Sequence, residues 1–540
     1  MKDSDSVEQK KIEQALSADV NEAVNTKASA SAIVSGSPTN PASDVSRYSY
    51  YALAVLSLVN FLNYIDRQVL PAVAPLMLQD EKLHLTHTEL GYIEAALLLS
   101  FTVLAPLFGR LGDKYARTRL MASAAVIWSI ATAFTGFVDQ LPFLPASVQL
   151  HFPLLQFTLT MSGAVLALCF VRAVVGVGES SYSTITPSLI ADYFPPQRRA
   201  TALGVFQAAI PMGFALGFVI GGLLAKFFGW RQAFTIVGIP GLAAAMLVWR
   251  LREPKRGATD EEASHITASS RTEHSRAFTG ETFDSQIING ERVDEGNDKT
   301  LDAAMQRPLL KTVWQILRTR DFILSTAGYT ALTFTLGAFA TWATVLLVED
   351  KGMTETSAAI TLGIVVLLGG ATGTFGGGWL SDRIARKKPN AYFLVCAVST
   401  LLGVAPTLLA IVSKDARVYL PSVFFSVMML FVSNAPFHAI LVSSVPTLVR
   451  ATAVALNIVI IHTFGDTISR VAVGVLSDSL KAGNLSWLAM IARTFGIEAT
   501  RQPLAAALLI APAALLVSTF FFFWGARRTP DKALSVIPLS

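Results

Sequence analysis

Charge is what this sequence lacks most. Asp, Glu, Lys and Arg make up 15% of its 540 residues, against about a quarter in a soluble domain. With 52% hydrophobic residues, that scarcity excludes an ordinary water-soluble fold. Cysteine is nearly absent as well. Cys169 and Cys396 fall in separate apolar runs, which argues against a structural disulfide. No nucleophile, base and orienting group recur in a motif context, which argues against an enzyme. A short cleavable leader is not expected either, because the N-terminus is polar and the first apolar run is too long. The net charge of +5 and pI near 9.1 require no nucleic-acid partner; positive loops facing anionic lipid account for them.

What the sequence does have is long apolar runs, with a mean hydropathy of +0.50. Windows near 48–78, 88–109, 119–138, 161–192, 201–224, 231–250, 322–348, 355–380, 390–412, 418–444, 452–478 and 503–526 stand out. Each reaches the roughly 20 residues that cross about 30 Å of hydrocarbon. They predict an all-α integral membrane protein of twelve helices. The Pro-rich stretch "DQLPFLPASVQLHFPLLQF", within 139–160, reads as an external loop with a short interfacial helix. Basic residues gather after even-numbered spans, as in "PPQRR", "WRLREPKR" and "DRIARKK". Both termini are therefore expected in the cytoplasm of a cell (inner) membrane. Residues 1–46 read as a disordered arm and 253–320 as a cytoplasmic linker. Six-helix bundles are expected over 47–252 and 321–528, followed by a tail at 529–540.

An internal repeat supports two halves. "GRLGDKYARTR" at 109–119 is echoed by "GWLSDRIARKK" at 378–388, and "RRATAL" at 198–203 by "VRATAV" at 449–454. Duplicated halves are the plan of a transporter that alternates access around a central site. The first pair resembles the loop motif of the major facilitator superfamily. That resemblance implies a cytoplasmic latch made of Gly109, Asp113, Lys114 and Arg117 with Gly378, Asp382, Arg383 and Arg386. Ala116 and Ala385 stand where the motif usually has glycine.

Charges inside the spans carry the functional argument, since each costs about 2.5–3.5 kcal/mol at a helix centre. Asp66 and Arg67 lie in the first span, and Arg172 and Glu179 in the fourth. At about 1.5 Å per residue, Asp66 lies roughly 28 Å from the cytoplasmic edge, Glu179 roughly 20 Å and Arg172 roughly 30 Å. A buried cluster is expected, serving either proton coupling or static helix pairing. In span 11, His462, Asp466 and Arg470 recur every four residues and predict a polar stripe on one face, lining a cavity. Gly213, Gly217 and Gly221 in span 5, with Pro211, predict close helix packing.

Taken together, "NYIDRQVLPAVAP", "APLFGRLGDKYAR", "VRAVVGVGESSYSTITPSLIADYF" and "LNIVIIHTFGD" resemble the Spinster family of that superfamily. The resemblance implies transport of lysophospholipids or sphingosine-type lipids, often coupled to protons, with Asp66, Arg67, Arg172 and Glu179 at coupling and gating positions. Glu94 and Arg470 depart from the family pattern. The expected cavity has a polar wall, including Glu94, His462, Asp466 and Arg470, and apolar walls carrying Tyr329, Phe334, Trp342 and Phe437. No metal is expected and no cofactor beyond a proton gradient. The expected partners are a small amphipathic substrate, protons and membrane lipid, for a monomer. A drug or organic-anion transporter of the same build, and a passive scramblase or receptor, are the competing readings.

Overall fold

The computed structural model describes residues 45–152, 157–256, 309–446 and 449–528. The predicted arm up to 44, the linker between 257 and 308, and the tail from 529 lie outside the described residues. Apolar runs become helices, and caps set where several begin. Helix α1 (Arg47–Leu78) starts at Ser46, whose hydroxyl accepts the Tyr48 N–H. Helix α2 (His87–Lys114) starts with a reciprocal capping box between Thr86 and Glu89, which satisfies N–H groups that a helix start leaves free. Helices α3 (Arg117–Thr135), α4 (Gly163–Tyr193) and α5 (Pro196–Trp249) complete the first half.

Helix α5 is two spans in one. It runs for 54 residues and contains Gly229 at φ 83°, ψ 163°, a conformation that glycine adopts at little cost. The break falls between the windows predicted at 201–224 and 231–250.

The second half begins after α6 (Leu309–Ile316) with α7 (Arg320–Glu349), α8 (Glu355–Ala385) and α9 (Ala391–Val412). It continues through α10 (Ala416–Val432), α11 (Asn434–Ser443) and α12 (Arg450–Ile460). A π-helical segment, Ile461–Thr467, then leads into α13 (Ile468–Lys481). Helices α14 (Ser486–Thr494), α15 (Pro503–Leu508) and α16 (Ile510–Arg528) end the described chain. Among the described residues, ten helices are long and apolar enough to cross a membrane. One of them holds the Gly229 break, and α1, 32 residues long, is diluted by Asn60, Asn63, Asp66, Arg67 and Gln68. The arrangement is consistent with twelve spans.

One expectation needs correction. Among its described residues, the region 139–160 forms no interfacial helix beyond the single turn Val138–Gln140; it forms an antiparallel hairpin, β1 (Val148–Phe152) with β2 (Phe157–Met161). Alternation of apolar and polar residues in "VQLHF" and "FTLTM" favours a strand. Between α13 and α15 the chain also forms α14, a short helix that no long apolar run marks.

The glycines of α5 do what their spacing predicts. A Cβ on Gly217 would lie 2.7 Å from Gln68 Cβ and from the Ile65 carbonyl, and one on Gly221 would lie 2.9 Å from Ala72 Cβ. Only a hydrogen there lets α5 lie directly against α1.

Candidate functional site

The charged residues of α1 and α4 meet in the packed interior. Arg67 Nε lies 2.5 Å from the Glu179 carboxylate, with the Glu179 side chain fully enclosed and Arg67 13% exposed. The same guanidinium sits 4.7 Å from the Phe101 ring centroid and 5.2 Å from that of Tyr64, so two aromatic faces also hold it. Asp66 turns elsewhere, because adjacent helix residues are about 100° apart. It accepts a 2.5 Å hydrogen bond from the Thr132 hydroxyl of α3, while its Oδ1 is buried without a partner. Arg172 is 1% exposed, and its Nε and one Nη have no hydrogen-bond partner. It interacts through space with both Asp66 and Glu179. All four expected residues are thus brought together, one pair of them in direct contact.

Span 11 is not the single stripe expected. His462 Nδ1 lies 2.8 Å from Asp466 Oδ2, inside the π-helical segment. The His462 ring meets Phe101 edge-on at 6.1 Å, so Phe101 stands between Arg67 of one half and His462 of the other. Arg470 leaves this face. A π turn offsets the helical register, and the Arg470 guanidinium reaches Glu94 and the Thr341 hydroxyl, each at 2.5 Å. Glu94 and Arg470 therefore pair across the halves instead of lining an open wall.

The aromatic residues expected along the cavity are mostly packed away. Trp342 and Phe437 expose no surface. Tyr329 is stacked on Phe437, with centroids 3.6 Å apart and planes 3° apart, and its hydroxyl lies 3.2 Å from Asn434 Oδ1. The Trp342 indole donates to the Arg470 carbonyl at 3.1 Å. Phe334 borders an apolar groove of about 460 Å³ with Ile460, Phe464 and Val517.

Each latch sequence makes its described side-chain contacts on its own side of the molecule. Arg117 is buried and pairs with Asp192 at 2.6 Å and Glu253 at 2.8 Å, all in the first half. Asp113 and Lys114 are exposed, and a Cβ on Gly109 would meet only Thr184. Asp382 accepts from the Tyr392 hydroxyl at 3.1 Å, Arg383 covers Trp379, Gly378 faces Ala435, and Arg386 is exposed.

Thr132, Tyr64, Phe101 and Thr341 escaped the sequence reading. A lone threonine or aromatic residue in an apolar span carries no signal that separates it from ordinary packing.

The sequence matches the pattern of the Major Facilitator Superfamily over residues 56–469. It is 30% identical over 447 residues to protein spinster homolog 1 of Homo sapiens, covering 78% of this chain and 71% of that one. The chain belongs to the spinster family of the major facilitator superfamily. It is 29% identical over 467 residues to protein spinster homolog 3 of Danio rerio, covering 83% of this chain and 81% of that one. Its fold matches a crystal structure described as a bacterial homolog to the human lysosomal transporter Spinster, in an inward-facing and occupied conformation. The TM-score is 0.67 at 18% identity, over 90% of this chain and 98% of that one. This spinster-family chain is accordingly a multi-pass membrane transporter of a small-molecule substrate, not an enzyme.

Its halves meet toward the ends that carry the 79–86 and 350–354 connections. There the Asp478 carboxylate accepts the N–H of Thr88 at 2.7 Å and of His87 at 3.3 Å, and the His87 ring lies 2.7 Å from the Ser477 hydroxyl. At the same end Lys351 donates to the Ile411 and Ser413 carbonyls at 2.5 and 2.7 Å. Burial and the adjacent Glu349 push the Asp350 carboxyl up to about 6.

Proposed function

We propose that this chain is a proton-coupled transporter that moves lysophospholipids or sphingolipid-like amphiphiles by alternating access. The observation that carries the reading is the enclosed Arg67–Glu179 pair, with the half-satisfied Asp66 and Arg172 beside it. Buried ion pairs stabilise poorly compared with apolar packing, so helix pairing alone explains four intramembrane charges badly. A proton on Glu179 would cancel its hold on Arg67 and free a guanidinium for an anionic head group. Phe101 and Tyr64 beside that guanidinium give an amphiphile's apolar part a surface to follow. The spinster relatives, and the lysosomal transporter named for one structural neighbour, support the transport reading. On this reading the protein works as a monomer in the cell (inner) membrane with both termini in the cytoplasm, where the basic loops lie. The latch loops would then close only when the molecule turns over.

Purified protein in liposomes under an imposed pH gradient tests this with labelled lysophosphatidylcholine or lysophosphatidylethanolamine. Gradient-driven movement should be lost in Glu179→Gln and in Asp66→Asn. Movement that ignores the gradient and survives both substitutions would overturn the coupling. Gradient-driven movement of organic anions in place of lysolipids would overturn the substrate class.

A further inference from the structure

The charges of span 11 that the coupling reading does not use sit where the halves touch. Glu94 of α2 and Arg470 of α13 are separated by 376 residues and joined at 2.5 Å, with side chains 4% and 11% exposed. We propose that this pair is the lock that holds one face of the transporter shut, the face carrying the 79–86 and 350–354 connections. The proposal rests on the alternating-access reading and adds the device that sets the balance between its two states.

Three observations separate a lock from permanent glue. First, the pair bridges the halves at a close approach. A Cβ on Gly91 would lie 2.7 Å from the Arg470 carbonyl and 3.1 Å from Val471 Cα. Thr341 and Trp342 of α7 fix the two ends of Arg470, through its guanidinium and its carbonyl.

Second, polar contacts that water can replace stand beside it, at the edge of an apolar cluster that holds Leu90 and Ile93 against Trp342 and Val473. Asp478 caps the first N–H groups of α2, and Ser477 holds the His87 ring. Opening exchanges these polar contacts for hydration, so the charged pair and the polar groups beside it lose less than the apolar contacts between the halves, such as Ala72 and Phe218 with Ala343 and Ala359. Opening an apolar seam would cost about 25 cal/mol for each Å² exposed. The α1–α5 seam within the first half and the α5–α8 approach of Gly222 to Ala359 between the halves are of that apolar kind.

Third, the pair is incompletely satisfied while shut. Glu94 Oε1 and Arg470 Nε are buried with no partner. Closed, the charges attract in a dry setting and leave these two atoms wanting. Opened, both charges hydrate fully. The two costs oppose each other, as a reversible two-state contact requires.

Removing one charge strands the other in the closed state only, so the equilibrium must shift toward opening. Spin labels at Glu81→Cys in the first half and Lys481→Cys in the second report the separation by pulsed electron resonance. The background carries Cys169→Ala and Cys396→Ala. With the native pair, one short distance should dominate. Glu94→Gln should raise the long-distance population by about tenfold, and the exchanged pair Glu94→Arg with Arg470→Glu should bring it back down. Gly91→Ala, which wedges the helices apart without touching a charge, should also raise it and decides the matter if Glu94→Gln does not fold. Unchanged distances in both Glu94→Gln and Gly91→Ala would overturn the lock. The distances need no substrate, so a failure of lysolipid transport in the native protein would strike the transport reading and leave this result standing.

Discussion

The two halves carry the same loop and use it differently. In the first copy Arg117 is buried between Asp192 and Glu253, while in the second Arg386 is exposed. The intramembrane charges are unequal too. The first half encloses Arg67 and Glu179 with Asp66 and Arg172, and the second offers His462 and Asp466, 25% and 17% exposed, on a π turn. A repeat in sequence therefore fixes where a segment sits in the fold and leaves its electrostatic surroundings free to diverge. In the proposed mechanism, the dry half stores the proton and the wetter half meets water and substrate.

The sharpest way to break that asymmetry is to neutralise one carboxylate or ring in each half. Glu179→Gln should lower proton-driven transport by about a hundredfold or more, and His462→Gln by about tenfold at most. Equal losses in the liposome assay would put the two halves on the same footing. Next in size is the pair of loop arginines. Arg117→Ala leaves two carboxylates facing each other and should cost about 3 kcal/mol, whereas Arg386→Ala should stay within about 0.5 kcal/mol. Thermal unfolding in detergent reads both, and a stable Arg117→Ala would sink the distinction.

A third comparison sets the α1–α5 seam against an open glycine. Gly217→Ala should cost about 2 kcal/mol by overpacking, while Gly376→Ala, with nothing within 4 Å of its Cβ, should be neutral. The smallest effect concerns Asp350. Its carboxyl titrates near 6 when folded against 3.8 otherwise, so the folded state holds the proton longer. Stability should fall as pH rises from about 4 to about 6 and stay lower above. Asp350→Asn should flatten that slope and raise the melting point at pH 7.5, by on the order of 1 kcal/mol once partial exposure is discounted. A slope unchanged in the variant would assign it to another group.

Much of this was legible in the residues themselves. Apolar runs marked the spans because hydrocarbon demands length and composition together, and the glycine ladder marked the α1–α5 seam because only small residues allow that approach. The hairpin at 148–161 was missed because two five-residue alternations, split by proline, speak more softly than the surrounding apolar bias. Arg470 turns away from the face its spacing predicts because a seven-residue π turn leaves no mark in residue spacing. Its partnership with Glu94 was out of reach, since nothing local says which acid, hundreds of residues away, an intramembrane arginine will find.

Gly229 has a mechanical consequence. It joins two membrane spans with no intervening loop, and two residues later Arg231 grips both Asp80 and Asp139. Three connections at that end of the first half are thereby riveted into one plate. A plate cannot flex helix by helix, so a push delivered there must tilt the whole bundle. A rigid lever of this kind turns a small displacement at one face into an opening at the other.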